Sequence, residues 1–106
     1  MQNKDEVLRI PSSVTVILRE EFGVGTKISV EELAVRIGVI PVLLHRIMDM
    51  ENFSYSMCMR LGKFFGQTPE FWWNLQTNYS IIATKSDLRI QAEVAAIIPW
   101  SETENQ

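Results

Sequence analysis

The stretch LAVRIGVIPVLLHRI, Leu33–Ile47, holds the spacing on which the fold turns. Ala34 stands four residues before Gly38, and Leu44 and Ile47 follow. Ala34 is small enough for two helices to cross closely. Gly38 can take the positive φ of a tight turn, which a side chain resists. Leu44 and Ile47 face inward and lock a crossing that such motifs set at roughly 90–120°. Leu33, Ile37, Val39 and Phe53 fill the space around it. The spacing predicts a helix-turn-helix, against the plainer reading of two ordinary helices joined by a glycine loop.

Helix signals continue on both sides. Ser29 followed by Glu32 is a capping-box pattern, and Leu33, Ala34 and Ile37 form the inner face of the helix it opens. An earlier helix starts at Ser12 or Ser13 and carries Val14, Ile17, Leu18 and Phe22 at helical spacing, until Gly23 and Gly25 break it. Pro41 suits the first turn of a helix over 41–48. Ser54 or Ser56 opens the next, with Met57, Leu61, Phe64 and Phe65 on one side and Gly66 as its stop. Thr68-Pro69-Glu70 combines a cap, a first-position proline and an acid near the positive helix end, and predicts a fifth helix to about Thr84. Ser86-Asp87 opens a sixth that Pro99 terminates. Cys58 is expected to be a small buried side chain in the fourth helix.

The chain has 106 residues, 46% hydrophobic and 22% charged, enough for one core. Its formal net charge is −3, whereas a nucleic-acid binder gains affinity from a basic excess; local patches nevertheless matter more than the sum. With Cys58 the lone cysteine and His45 the lone histidine, neither an internal disulfide nor a metal site is expected, and no cofactor is. No apolar run approaches the ~20 residues of a membrane span. The polar segment Met1–Val7 is not a signal peptide, so a cytoplasmic location without a membrane partner is expected. The sequence offers no base–nucleophile pair, metal cluster or glycine-rich phosphate loop, and an enzyme is not expected. Asp49 and Glu51 read as a solvated loop.

Four stretches carry a family resemblance: ILREEF (Ile17–Phe22), ISVEELAVRIGV (Ile28–Val39), RLGKFFGQTPEFWWNLQ (Arg60–Gln76) and Tyr79. Together they resemble the HigA-type, or VapI-like, antitoxins of the Cro/repressor helix-turn-helix superfamily, over about residues 12–84. The resemblance implies an all-α fold, a five-helix lambda-repressor-like domain with a C-terminal helical extension. It also implies a homodimer that binds double-stranded operator DNA as an autorepressor. A small basic toxin of the HigB type, which cleaves mRNA on the ribosome, would be the second partner. The expected organisation is a flexible lead over 1–11, a DNA-binding domain over 12–84, a C-terminal helix over 85–100 and a disordered tail over 101–106.

The chain departs from the family where DNA would be read. Val30 stands where a glutamine usually reaches the DNA backbone, and Ile40 where a serine or threonine caps the third helix. Pro41, Val42 and Leu43 replace polar readers. The turn after that helix, Asp49-Met50-Glu51-Asn52, is one residue shorter than the family's and acidic. A helical wheel places Ile40, Leu43, Leu44, Ile47 and Met48 on one face and Val42, His45, Arg46 and Asp49 on the other. Of these, Arg46 can pair with guanine or phosphate, His45 can donate to a base edge, and Val42 can touch a thymine methyl. Lys27, just before the second helix, and Arg36, on it, complete the expected DNA-binding set; the competing reading of the arginines is a solvated surface charge.

Phe71, Leu75 and Tyr79, with Trp72 beside them, read as core. Trp73 points elsewhere and must meet another helix or a second subunit; a dimer contact is expected. Trp100, beside Pro99, can pin the last helix to the body or serve a partner. Two functions compete: a DNA-binding antitoxin, or a protein-interaction module on a helix-turn-helix scaffold that has weakened or lost DNA binding.

Overall fold

Ser13, Ser29, Ser54, Thr68 and Asp87 each start a helix by the same device. Their side-chain oxygens accept from the backbone N–H of Val16, Glu32, Met57, Phe71 and Ile90, at 3.0–3.2 Å. These N–H groups lie in a first turn, where the helix has no carbonyl of its own to offer. A computed structural model describes residues 12–101, so the lead expected over 1–11 and all but the first residue of the expected tail lie outside the described residues. The helices are α1 (Val14–Glu20), α2 (Val30–Arg36), α3 (Pro41–Met50), α4 (Tyr55–Phe65), α5 (Pro69–Lys85) and α6 (Leu88–Ala95). The described residues form no strand beyond an isolated bridge between Val24 and Ile28, which closes the α1–α2 turn. None of these helices is long and apolar enough to cross a membrane.

The all-α expectation and the order of the helices hold. Ser13 rather than Ser12, and Ser54 rather than Ser56, are the caps. Ser29 caps α2 as expected, but Glu32 does not reach back to complete the box; it pairs with Arg36 at 3.3 Å. Three boundaries differ. Helix α1 ends at Glu20, before Phe22. Helix α3 runs on to Met50, and α6 stops at Ala95, well before Pro99.

Leu18 of α1, Leu33 and Ala34 of α2, Leu44 of α3, Cys58 and Leu61 of α4 and Trp72 of α5 are fully buried. They meet in one core that Val14, Phe53 and Met57 complete. The Trp72 ring lies against Phe22, Phe65 and Phe71, with centroids 5.1, 5.9 and 5.1 Å away. Burial pushes the Cys58 thiol up to about 11. Gly62 lets α4 approach the start of α5: a Cβ there would meet the Gln67 carbonyl oxygen at 2.6 Å.

The inner face of α5 is not the one expected. Trp72 and Gln76 are its buried residues, while Phe71 is exposed and Leu75 and Tyr79 are half-buried. Gln76 is a polar clasp inside the core: its Oε1 accepts from the Phe53 N–H at 2.8 Å, and its Nε2 donates to the Glu51 carbonyl at 3.0 Å and to Ser80 Oγ at 2.7 Å. That clasp ties α5 to the chain between α3 and α4. Helix α6 touches α5 but buries none of its own side chains.

Candidate nucleic-acid interface

The α2–α3 turn is built as its spacing requires. Gly38 has φ +82°, its N–H bonds to the Val35 carbonyl at 3.1 Å, and the Val39 N–H bonds to the Ala34 carbonyl at 2.9 Å. Ala34 and Leu44 are fully buried and Ile47 packs half-buried against the core. From α4, Arg60 Nη1 donates to the Ile37 carbonyl at 2.7 Å, satisfying the open end of α2. No local pattern marks Arg60 in the sequence, since it sits 23 residues from Ile37. At the far end, Thr15 of α1 donates to the Met48 carbonyl at 3.2 Å and holds α3 down.

This frame leaves one side of α3 open. Val42, His45, Arg46 and Asp49 are all exposed along it, as the wheel indicates. Arg46 forms no ion pair among the described residues. The opposite face is narrower than expected. Leu44 and Met48 are buried, but Ile40 is 64% and Leu43 41% exposed, so the first turn of α3 presents an apolar tip made of Ile40, Val42 and Leu43. Ile40 makes no side-chain cap bond; Pro41 has no N–H, and the Leu43 N–H bonds to the Ile40 carbonyl at 3.0 Å.

His45 is not alone. Its Nε2 lies 2.7 Å from Glu31 Oε2, in the first turn of α2, with both side chains about half exposed. The hydrogen bond from His45 holds the Glu31 carboxyl below its ordinary value. No local pattern marks Glu31 in the sequence, because its partner lies 14 residues away, on the next helix. Val30, beside it, is buried in the core, so the position of the family's backbone-reaching glutamine is spent on packing here. Lys27 is exposed at the entrance to α2. Arg36 points the other way: it pairs with Glu32, and its guanidinium lies 5.2 Å from the centre of the Phe64 ring on α4.

The acidic turn also differs from its reading as a solvated loop. Asp49 belongs to α3. Glu51 is the left-handed residue that ends α3, half-buried, with one carboxylate oxygen buried and without a hydrogen-bond partner. Its charge therefore turns partly inward. Trp73 is half-buried with its ring edge-to-face to Tyr55 at 5.6 Å, and Trp100 is 74% exposed, so it does not pin α6 to the body.

Helices crossing at Ala34 and Leu44 over a left-handed glycine, with the outer face of the second helix open, define a helix-turn-helix domain of the lambda-repressor type. No family model matches the chain. An uncharacterised HTH-type transcriptional regulator of Haemophilus influenzae is 33% identical over 92 residues, 86% of each chain. Among solved structures, the Pseudomonas aeruginosa antitoxin HigA with the higBA promoter is 31% identical at a TM-score of 0.66, covering 86% of this chain and 99% of its own. An addiction-module antidote protein of the HigA family from Coxiella burnetii is 33% identical at a TM-score of 0.62, covering 85% and 98%. The chain belongs to the HigA family of helix-turn-helix antitoxins and regulators.

Proposed function

We propose that this protein is an antitoxin that binds operator DNA as a dimer, represses its own transcription and neutralises a small basic HigB-type toxin that cleaves mRNA. One observation carries the DNA half of the reading: the locked turn holds α3 with Val42, His45 and Arg46 exposed on one side. An α-helix presented this way fits the major groove. In this reading Arg46 pairs with guanine or phosphate, Val42 and its apolar neighbours meet thymine methyls, and Lys27 holds a phosphate beside α2. The apolar tip shifts recognition from hydrogen bonds toward methyl contacts and shape. Residues 12–84 form the DNA-binding unit, and the protein works in the cytoplasm.

The dimer and the toxin account for apolar surface that the described chain leaves wet. Leu88, Val94, Ile97, Ile98 and Trp100 are 59–78% exposed and follow one another closely in the chain. A run of this kind marks an interaction surface. Trp73, half-buried against the core, contributes the part of its ring that stays exposed.

Selection from random duplex DNA tests the reading. The expected product is an inverted repeat with half-sites about one helical turn apart, bound with a Kd on the order of 10⁻⁸ M at physiological salt. Recovery of no enriched sequence would overturn the DNA half. Co-purification with a small basic protein encoded beside it tests the other half separately.

A further inference from the structure

We propose that a basic, apolar-floored hollow between α2 and α4 receives the Ile97–Trp100 segment of a second copy of this chain. The proposal rests on the dimer reading above and assigns its contact. The hollow has a volume of about 560 Å³ and is lined by Arg36, Ile37, Met59, Arg60, Lys63 and Phe64. That volume lies in the range of small-ligand sites and admits an indole with its neighbours.

Its walls and rim differ in chemistry. Ile37, Met59 and Phe64 supply apolar surface, with Met59 53% exposed. Three cations stand around them. Arg36 lies over the Phe64 ring and pairs with Glu32, Arg60 is anchored on the Ile37 carbonyl, and Lys63 is exposed without an ion pair among the described residues. With Glu32 counted against them, the rim stays positive. A cation-rimmed apolar hollow selects an aromatic side chain flanked by carboxylates, because cations are attracted to the ring face and to the acids alike.

This chain carries such a ligand. Ile97, Ile98 and Trp100 are 67%, 78% and 74% exposed, and Glu102 and Glu104 follow directly in the sequence. The segment and the hollow are thus complementary in charge and in apolar character, and Trp100 lies outside the hollow of its own chain, which makes a second copy the occupant. The contact also gives Arg36 a role on the α4 side of α2, away from the open face of α3.

Cross-linking and sedimentation of the full-length protein test this. Lys63→Cys and Glu102→Cys are prepared as separate variants; Cys58 is fully buried and does not compete. Mixing the two under mild oxidation is expected to give a covalent heterodimer that neither forms alone. Lys63→Glu is expected to weaken self-association by about tenfold or more, and Glu104→Lys added to it to restore much of the loss. Trp100→Ala is expected to weaken self-association while the helical signal stays unchanged. A dimer that forms without the cross-link, or that ignores both charge changes, would overturn the docking and leave the dimer reading intact. A monomer at all concentrations would overturn both. A disulfide that closes within a single chain carrying both cysteines, with none between chains, would overturn the exchange between copies.

Discussion

Among the described residues Glu51 is the one non-glycine with a positive φ, at +54°. A side chain in the left-handed region costs about 1–2 kcal/mol. The chain tolerates it because the turn it makes closes α3: the Glu51 N–H bonds to the Met48 carbonyl and the Asn52 N–H to the Ile47 carbonyl, both at 3.2 Å. Glu51→Gly is therefore expected to raise stability by about 1 kcal/mol in urea denaturation, since it removes both the strain and a buried, unpaired carboxylate oxygen. Gln76 is the opposite case, a polar residue whose hydrogen bonds hold two backbone groups. Gln76→Leu leaves the buried Phe53 N–H without a partner and is expected to cost about 1–3 kcal/mol by the same measurement. At Glu31 the sign follows from its lowered pKa. Its bond from His45 adds stability above the ordinary carboxylate range, and that contribution is lost as pH falls through the lowered value. Glu31→Gln should flatten the acid limb of the stability–pH curve, as read by denaturation over a pH series.

Helix α3 begins without a side-chain cap because Ile40 stands in the capping place, 64% exposed. Ile40→Ser is expected to stabilise the protein by about 1 kcal/mol without changing its fold, measured as a raised denaturation midpoint. The other helix starts were legible in the sequence because capping is local: a serine, threonine or aspartate and its acceptor bond lie within one turn. Ends were less legible. Helix α3 continues to Met50 because Glu51 takes a conformation that a glycine would normally announce. The inner face of α5 is not legible in the sequence because a glutamine occupies a core position, and only the Phe53 N–H and Glu51 carbonyl that it meets across the fold explain why. The exposure of Ile40 and Leu43 has a similar origin. A helical wheel shows which side chains share a face, not which of them the rest of the fold covers.

Across the whole molecule, a net charge of −3 is reconciled with DNA binding by where the charges sit. Arg36 is drawn to α4, the Glu51 carboxylate turns partly inward, and Glu31 is occupied by His45, while Arg46 and Lys27 remain exposed. The frame of this interface was legible from Ala34, Gly38, Leu44 and Ile47, because close crossing and a left-handed turn demand those residue types at those places. Its electrostatics were not, because the Glu31–His45 pair joins neighbouring helices whose relative placement only the fold supplies. Contact of the open α3 face with operator DNA is assigned to Arg46. It is tested most directly by the affinity of wild type and Arg46→Ala for the selected operator across a salt series. Arg46→Ala is expected to lose about 1–3 kcal/mol of binding if it reads a base, and to lower the slope of log K against log salt by about one if it holds a phosphate. An operator bound by Arg46→Ala with unchanged affinity and unchanged slope would contradict the assignment.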